Sequence, residues 1–304
     1  IEENPNDKFA FNNQWVNANG LFQRAVATTI VRGSDGEYDV YKLSNGQIMY
    51  NVGKQDMGPY ADKVKQLSNE VTSRNIDFMY VQLPFKIKDS SYMPPGTYTY
   101  GNENAAEIVT LLRDKGVDVL SIPEVINASS TDWPSLFFKT DHHWLPETGM
   151  WASGIIMKTA GDNYGYSYTP AYYNYNNYKV STYSNYMLGA VGRRVGTLYA
   201  GLDDIDIVFP KYETSFDFYG ISDDGEEKRS GNFADAVYLW DNLSQRADFV
   251  NNNYSTYIGK EYAISKLTNN NNPDGIKILL IRDSFSCTIQ PFIAQDASEV
   301  CAID

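Results

Sequence analysis

The sequence predicts an α/β fold with parallel strands. Helix-like and strand-like patterns alternate in order between residues 57 and 121. Near the C-terminal end, the strongly apolar run "IKILLI" (Ile276–Ile281) feeds directly into "RDSF", a strand followed by an apparent helix start. No internal repeat and no Pro- or Ser-rich linker divides the chain, so a single domain over residues 1–304 is expected.

Taken in order, "MGPYADKVKQLSNEVTSRN" places Val64, Leu67 and Val71 on one helical face, with Pro59 in the first turn. "IDFMYVQLPF" reads as a buried strand over Ile76–Leu83, stopped by Pro84. In "NENAAEIVTLLRDKG", Asn104 and Glu107 have capping-box spacing, Ile108, Leu111 and Leu112 form the apolar stripe, and Gly116 is the residue past the end. "VDVLSI" is the next strand. "PETGMWASGIIMKTA" resumes helix from Pro146. Residues 162–186, rich in Tyr and Asn, show no helical period and read as an irregular insertion. "DIDIVFPKYE" reads as a strand, "SDDGEEKRSGN" as a charged surface turn, and Ile276–Ile281 as a fully buried strand whose following helix opens at Ser284.

Composition narrows the function. A chain of 304 residues, 42% hydrophobic and 21% charged, can bury a sizeable core. No apolar run approaches the roughly 20 residues of a membrane span. The chain starts at Ile1 with no basic and apolar leader pattern, which leaves an upstream signal or anchor open. A net charge of −13 argues against a nucleic-acid partner and against binding to anionic lipid. Cys287 and Cys301 are compatible with one disulfide or with two buried thiols. The 24 tyrosines suit an exported surface that meets carbohydrate; an AT-rich genome gives the same bias.

Both histidines of the chain lie side by side in "TDHHWLPETG" (Thr140–Gly149). In an extended segment Asp141 and His143 share a face and His142 points away. A carboxylate beside an imidazole fixes its tautomer and stabilises the imidazolium, so Asp141 and His143 suit the acid–base pair of a triad. Ser284, between an apolar strand and a helix start, suits the nucleophile, because N–H groups there favour an oxyanion. Each signal has a plain alternative. Ser284 is an ordinary N-cap in many proteins. Asp141 and His143, with Asp283, also have metal-ligand chemistry, but a third histidine is missing. The glycines of "GAVGRRVG" permit a close backbone approach that would give a second oxyanion donor. Arg193 and Arg194 there either contact substrate or pair with Asp203 and Asp204. Trp144 either walls the pocket or is core, and Tyr166, in the Tyr164–Tyr166–Tyr168 alternation, either stacks on sugar or is a surface residue.

"TDHHW", followed by a Gly-containing helix and later by "RDSF", resembles the DHHW family. That family is similar to the SGNH-like O-acetyltransferases of bacterial extracellular polysaccharides, including the alginate acetylases. The resemblance covers most of the chain, through "NGLFQR", "VYKLSNGQI", "YVQLPFKI", "GVDVLSI", "GRRVGTLYAGLDDI" and "YSTYIGKEY". It implies an SGNH-hydrolase-like three-layer fold with a parallel sheet and a circularly permuted order of catalytic motifs, Asp-x-His before Ser. Ser284 is then the nucleophile, His143 the base and Asp141 its partner, with no metal and no cofactor. The resemblance also implies further strands past the serine, whereas this sequence stops at "SEVCAID".

The expected function is an extracytoplasmic, serine-dependent O-acetyltransferase acting on a cell-envelope or secreted polysaccharide. The resemblance implies a membrane acyltransferase partner that supplies acetyl groups. Two alternatives stand beside it: a carbohydrate acetyl esterase with the same triad, and a non-catalytic polysaccharide-binding protein.

Overall fold

The computed structural model describes residues 12–33, 39–258 and 262–304. Residues 259–261 of "YSTYIGKEY" lie outside the described residues. Helix α1 (Asn12–Ala25) is followed by a small antiparallel sheet of β1 (Ile30–Val31), β2 (Val40–Lys42) and β3 (Ile48–Tyr50). The alternating region keeps the order read for it: α2 (Gly58–Thr72), β4 (Tyr80–Gln82), α3 (Gly101–Asp114) and β5 (Val119–Ser121), with α4 (Ile122–Ala128) following directly. The strand expected to be buried over Ile76–Leu83 is shorter and half-buried, and Ile76 is exposed, because among the described residues β4 pairs only with β5 and stands at a sheet edge. β4 and β5 pair in parallel, Val81 opposite Leu120. Pro59 sits in the first turn of α2, and Gly116, at φ +69°, follows the end of α3. The capping box does not form. α3 begins earlier than the pattern suggests, so Asn104 lies inside it, and its side chain instead accepts from the Gln55 N–H and donates to the Gly53 carbonyl.

Helix α5 (Pro146–Tyr164) ends on left-handed Gly165. Only the first part of the Tyr/Asn-rich stretch is irregular, as short 3₁₀ turns up to Asn177. Then β6 (Tyr178–Met187) begins, and it pairs antiparallel with β7 (Asp203–Pro210) across α6 (Ala190–Val195) and α7 (Thr197–Ala200). Tyrosine hides this strand from a polar/apolar reading. Tyr183 and Tyr186 pack on the core, while Tyr186 places its hydroxyl on the Leu243 carbonyl.

The remaining elements are β8 (Phe216–Ser222), β9 (Gly225–Gly231), α8 (Phe233–Val237), β10 (Ile264–Asn269), β11 (Ile276–Ile281), α9 (Gln290–Ile293) and β12 (Ala297–Ile303). Their sheet runs β11-β12-β10-β8-β9, and only β11–β12 is parallel. The expected parallel sheet is thus mixed: among the described residues, parallel pairing is confined to β4–β5 and β11–β12. The reason is local. The supposed charged turn is a tight hairpin over Asp223 and Asp224 that continues as β9, and a hairpin makes its strands antiparallel. β11 is not fully buried either. Ile278 and Leu280 pack on the core, but Leu279 and Ile281 on the other face are 59% and 65% exposed.

The main core gathers Phe138, Trp144, Tyr238, Tyr254, Tyr257 and Phe292, and a second cluster holds Ile48, Ile87, Leu188 and Val191. The Lys139–Trp144 segment joins them, since the Ile48 N–H donates to the Lys139 carbonyl and Trp144 packs in the main core. No described helix is long and apolar enough to cross a membrane.

Candidate active site

The histidine segment is a loop tip, not a strand. Phe137 and Trp144 form an isolated antiparallel bridge, the Phe138 N–H donates to the His143 carbonyl, and residues 139–142 bend between them. The expected alternation therefore fails in part. Asp141 and His143 do meet, but because the Asp141 side chain folds onto the backbone N–H two residues on. His142 does not point away: its ring lies over that of His143 at 3.8 Å between centroids.

Asp141 is fully buried and its carboxylate is saturated. Oδ1 accepts from His143 N–H (2.9 Å) and lies 2.6 Å from His143 Nδ1. Oδ2 accepts from Ala190 N–H (2.6 Å) and from Asn252 Nδ2 (3.1 Å). Burial works to raise its pKa, but the charge and hydrogen bonds of His143 outweigh it and hold the carboxyl well below the usual range. The neighbouring Asp203 organises the loop's other side, accepting from Lys139 N–H, Thr140 N–H and Thr140 Oγ1 at 2.6–2.7 Å. Burial raises its pKa. Thr140 Oγ1 and O in turn accept from Gly189 and Gly192 N–H.

That bonding redirects the glycine-rich segment. Its N–H groups go to Thr140 and, through Ala190, to Asp141, so it supports the aspartate and does not supply the expected oxyanion donor. Gly189 is required by contact: a Cβ there would lie 2.3 Å from Asp141 Cβ.

Beneath the loop lies Lys86, 2% exposed. Its ammonium donates to the carbonyls of Asp141 (2.7 Å), Ile48 (2.9 Å) and Lys139 (3.1 Å). Burial pushes its pKa down to about 7, against the opposing pull of Asp203 and Asp141. Sequence reading missed this residue, although a lysine inside the apolar stretch "LPFKI" was a visible signal. Asn252 and Tyr254 were also missed, and nothing in "NNNYSTY" distinguishes them.

On the serine side, β11 ends at Ile281 and a five-residue 3₁₀ turn runs over Ser284–Thr288. Its N-cap is Asp283, whose carboxylate accepts from Phe285 N–H at 3.0 Å. Ser284 is therefore not spent as a cap, and its Oγ lies 2.7 Å from His143 Nε2. The structure thus brings Ser284, His143 and Asp141 into one hydrogen-bonded chain across 141 residues of sequence. Tyr254 stacks on His143 at 4.0 Å and 11°, with its hydroxyl 3.3 Å from the Ser284 and Phe285 carbonyls and from Thr288 Oγ1.

The donor atoms of Asp141, His142 and His143 lie within 4.8 Å of one another, a spacing that a metal ion could use. The donor set does not fit one. Asp141 has no lone pair left, and His143 has committed Nδ1 to Asp141 and Nε2 to Ser284. Asp283, the other candidate ligand, has one carboxylate oxygen engaged as a cap, and of the three clustered residues His142 alone keeps a free ring nitrogen, too few donors for a site.

The other candidates are dispersed. Trp144 is fully buried and bonded through Nε1 to Thr288 Oγ1 at 2.7 Å, so it is core that supports the serine turn, not a pocket wall. Arg193 donates to the Val250 carbonyl and its charge reaches His142, while Arg194 lies over the Tyr50 ring and bonds its hydroxyl. Neither pairs with Asp203, whose oxygens serve the loop, or with Asp204, which accepts from Asn185 N–H. Tyr166 lies just past the far end of the 19-residue α5, about 28 Å along the axis from the histidine loop, and donates to Asp77. The structure does not bring it to the site. Cys287 and Cys301 form no disulfide.

No protein-family model and no curated protein matches the chain. Solved structures do. Bacillus cereus PatB1, described with a sulfonyl adduct, superposes with a TM-score of 0.66 at 18% identity, covering 88% of this chain and 85% of that one. A further structure of PatB1 gives 0.65 at 20% identity, with 85% of each chain covered. A DHHW family protein from Eubacterium siraeum DSM 15702 gives 0.64 at 17% identity, over 90% of this chain and 84% of that one. The resemblance to the DHHW family seen in the sequence is thus met in the fold.

Proposed function

We propose that this protein is a serine-dependent O-acetyltransferase that modifies a cell-envelope or secreted polysaccharide through an acetyl-Ser284 intermediate. The observation that carries the reading is the continuous chain Ser284 Oγ–His143 Nε2–Nδ1–Asp141 Oδ1, at 2.7 and 2.6 Å. Residues 1–304 are read as one SGNH-like catalytic domain with a permuted order, Asp141 and His143 preceding Ser284. The reaction runs outside the cytoplasm, and a membrane acyltransferase supplies the acetyl group.

Chemically, Ser284 Oγ attacks the donor's acetyl carbon while His143 Nε2 takes its proton. Asp141 keeps Nδ1 protonated and stabilises the imidazolium. Among the described residues the Ser284 N–H meets no acceptor, which leaves it available to the oxyanion. The imidazolium returns its proton to the leaving group as the tetrahedral adduct collapses. An acceptor sugar hydroxyl then repeats the sequence in reverse: its oxygen bonds to the acetyl carbon as His143 takes its proton, the acetyl–Oγ bond breaks, and the proton passes to Oγ, leaving the acetylated sugar and free Ser284.

The test is intact-protein mass spectrometry after exposure to an activated acetyl ester, with and without cell-wall oligosaccharides. Acetyl-Ser284 that persists in water and discharges onto a sugar supports the transferase. Rapid discharge into water with no sugar product moves the reading to the esterase, and no adduct at all favours a binding protein. A sulfonyl fluoride gives an independent probe, given the adduct described for PatB1: it should label Ser284 and nothing else.

A further inference from the structure

The two faces of the His143 ring are covered by residues of opposite character. One face lies against Tyr254, which is 1% exposed and bonded into the serine turn. The other lies against His142 at 3.8 Å and 37°, and the His142 side chain is 30% exposed. His142 is therefore the layer between the second face of the base and solvent. No hydrogen bond explains its placement. Its Nδ1 is buried without a hydrogen-bond partner, and the nearest carboxylate oxygen, Asp141 Oδ1, is 3.5 Å away. Burial drives its pKa down to about 4, so near neutral pH it is an uncharged ring. A neutral imidazole held by ring contacts to His143 and Phe285 acts as a cover.

We infer that His142 is a specificity-determining positioning residue, which shields His143 and so limits how readily water, in place of a sugar hydroxyl, discharges the acyl-serine. The inference rests on the acetyl-Ser284 reading above. In hydrolysis a water oxygen bonds to the acetyl carbon and His143 Nε2 takes the water proton. The carbon–Oγ bond then breaks and the proton passes to Oγ, leaving acetate and free Ser284. Transfer differs only in that a sugar hydroxyl replaces water. Both use the same base, so the ratio between them depends on how much water stands beside that base. Excluding water is one of the ways an enclosed site prevents such side reactions.

The test separates acylation from discharge. The burst of nitrophenolate from 4-nitrophenyl acetate reports acylation, and the decay of the acetyl adduct in intact-mass spectra reports hydrolysis. The protein is compared with His142→Ala, which opens the face, and His142→Phe, which restores a ring. His142→Ala should lose its acetyl group about tenfold faster than the unsubstituted protein, and His142→Phe should return the rate to within about twofold, with the burst falling less than tenfold in either. If His142→Ala does not fold, His142→Asn gives the same comparison. A discharge rate that is unchanged or slower in the small-residue variant overturns the inference, as does an equally fast rate in His142→Phe. Absence of any acetyl-Ser284 in the unsubstituted protein overturns the acyl-serine reading as well; normal acylation with equal discharge in all three overturns the inference alone.

Discussion

The two halves of the candidate site are built in opposite ways. The Asp141–His143 half is buried and held from every side: Lys86 beneath, Asp203 and the Gly189–Gly192 segment behind, Asn252 on the carboxylate and Tyr254 on the ring. The Ser284 half is a short 3₁₀ turn at the end of a strand whose outer residues, Leu279 and Ile281, are exposed. The contrast assigns different work to each half. On the proposed function, orientation is fixed at His143, where an error of an ångström would disable proton transfer, and access is left at Ser284, where two substrates would enter in turn.

The largest effects should come from the atoms that meet. Ser284→Ala should abolish the acetyl adduct, and His143→Ala should lower acylation about 10⁴-fold or more, since His142, the other imidazole, makes no hydrogen bond to Ser284 Oγ. Burst kinetics and intact mass measure both. A sulfonyl or acetyl label that survives in Ser284→Ala would place the nucleophile elsewhere and break the comparison outright.

Next comes Lys86, which tests whether the buried half depends on its hidden support. Lys86→Met removes a donor from the carbonyls of Asp141, Ile48 and Lys139, of which Lys139 keeps the Ile48 N–H, and should cost about 3 kcal/mol in stability and about 100-fold in acylation. The pH dependence has a definite sign. The folded pKa is lowered to about 7, so above pH 7 the unfolded chain holds the proton that the folded chain has released. Stability therefore rises with pH from about 7 toward the ordinary lysine range. Near pH 10 the trend ends, because burial pushes the Tyr254 and Tyr257 phenols upward, and stability falls as the unfolded tyrosines ionise. Denaturant unfolding at pH 7 and 9 should show a positive slope that Lys86→Met removes. An equal slope in both proteins would move the effect to another group.

Gly189→Ala should act on the same half, more gently. Its Cβ would collide with Asp141 at 2.3 Å, and the strain should cost about 2 kcal/mol, with acylation lowered through a displaced carboxylate. Adding the equivalent methyl at Gly275, remote from the loop, should leave acylation within about twofold; a similar loss at both would deny that Gly189 acts through Asp141.

The same division decides what could be read from the sequence. The meeting of Asp141, His143 and Ser284 was legible because the signal lies in side chains whose spacing is local or motif-borne. The supports were not. The apolar setting of Lys86 in "LPFKI" signals burial but not its role, because it bonds backbone carbonyls, which every residue offers. Asn252 and Tyr254 reach the site only through tertiary folding. The alternation of helix and strand up to Ser121 was legible from apolar spacing. The direction of the later strands was not, because a strand pattern carries no record of its neighbour, and tyrosine-rich β6 mixes both faces in one residue type.

The smallest expected effect sharpens the boundary of the site. Tyr166 is the aromatic residue that sequence spacing offered as a sugar platform, and it sits beyond the end of α5 with its hydroxyl on Asp77 Oδ2. Its ring meets Tyr164 at 6.0 Å between centroids, and the Tyr164 hydroxyl donates to the Phe78 carbonyl and to Asp118. Tyr166 thus belongs to a tie between the C-terminal end of α5 and the start of β4. Tyr166→Phe keeps the ring contact and removes one exposed hydrogen bond, so the loss should be about 0.5 kcal/mol, read as a small fall in the denaturant midpoint. Acylation and discharge of Ser284 should both stay within experimental error, since the residue is a helix length from the histidine loop. If instead a long oligosaccharide discharges the acetyl-enzyme more slowly in Tyr166→Phe while a short one does not, an extended acceptor reaches along α5, and the accessible half of the site is larger than the serine turn.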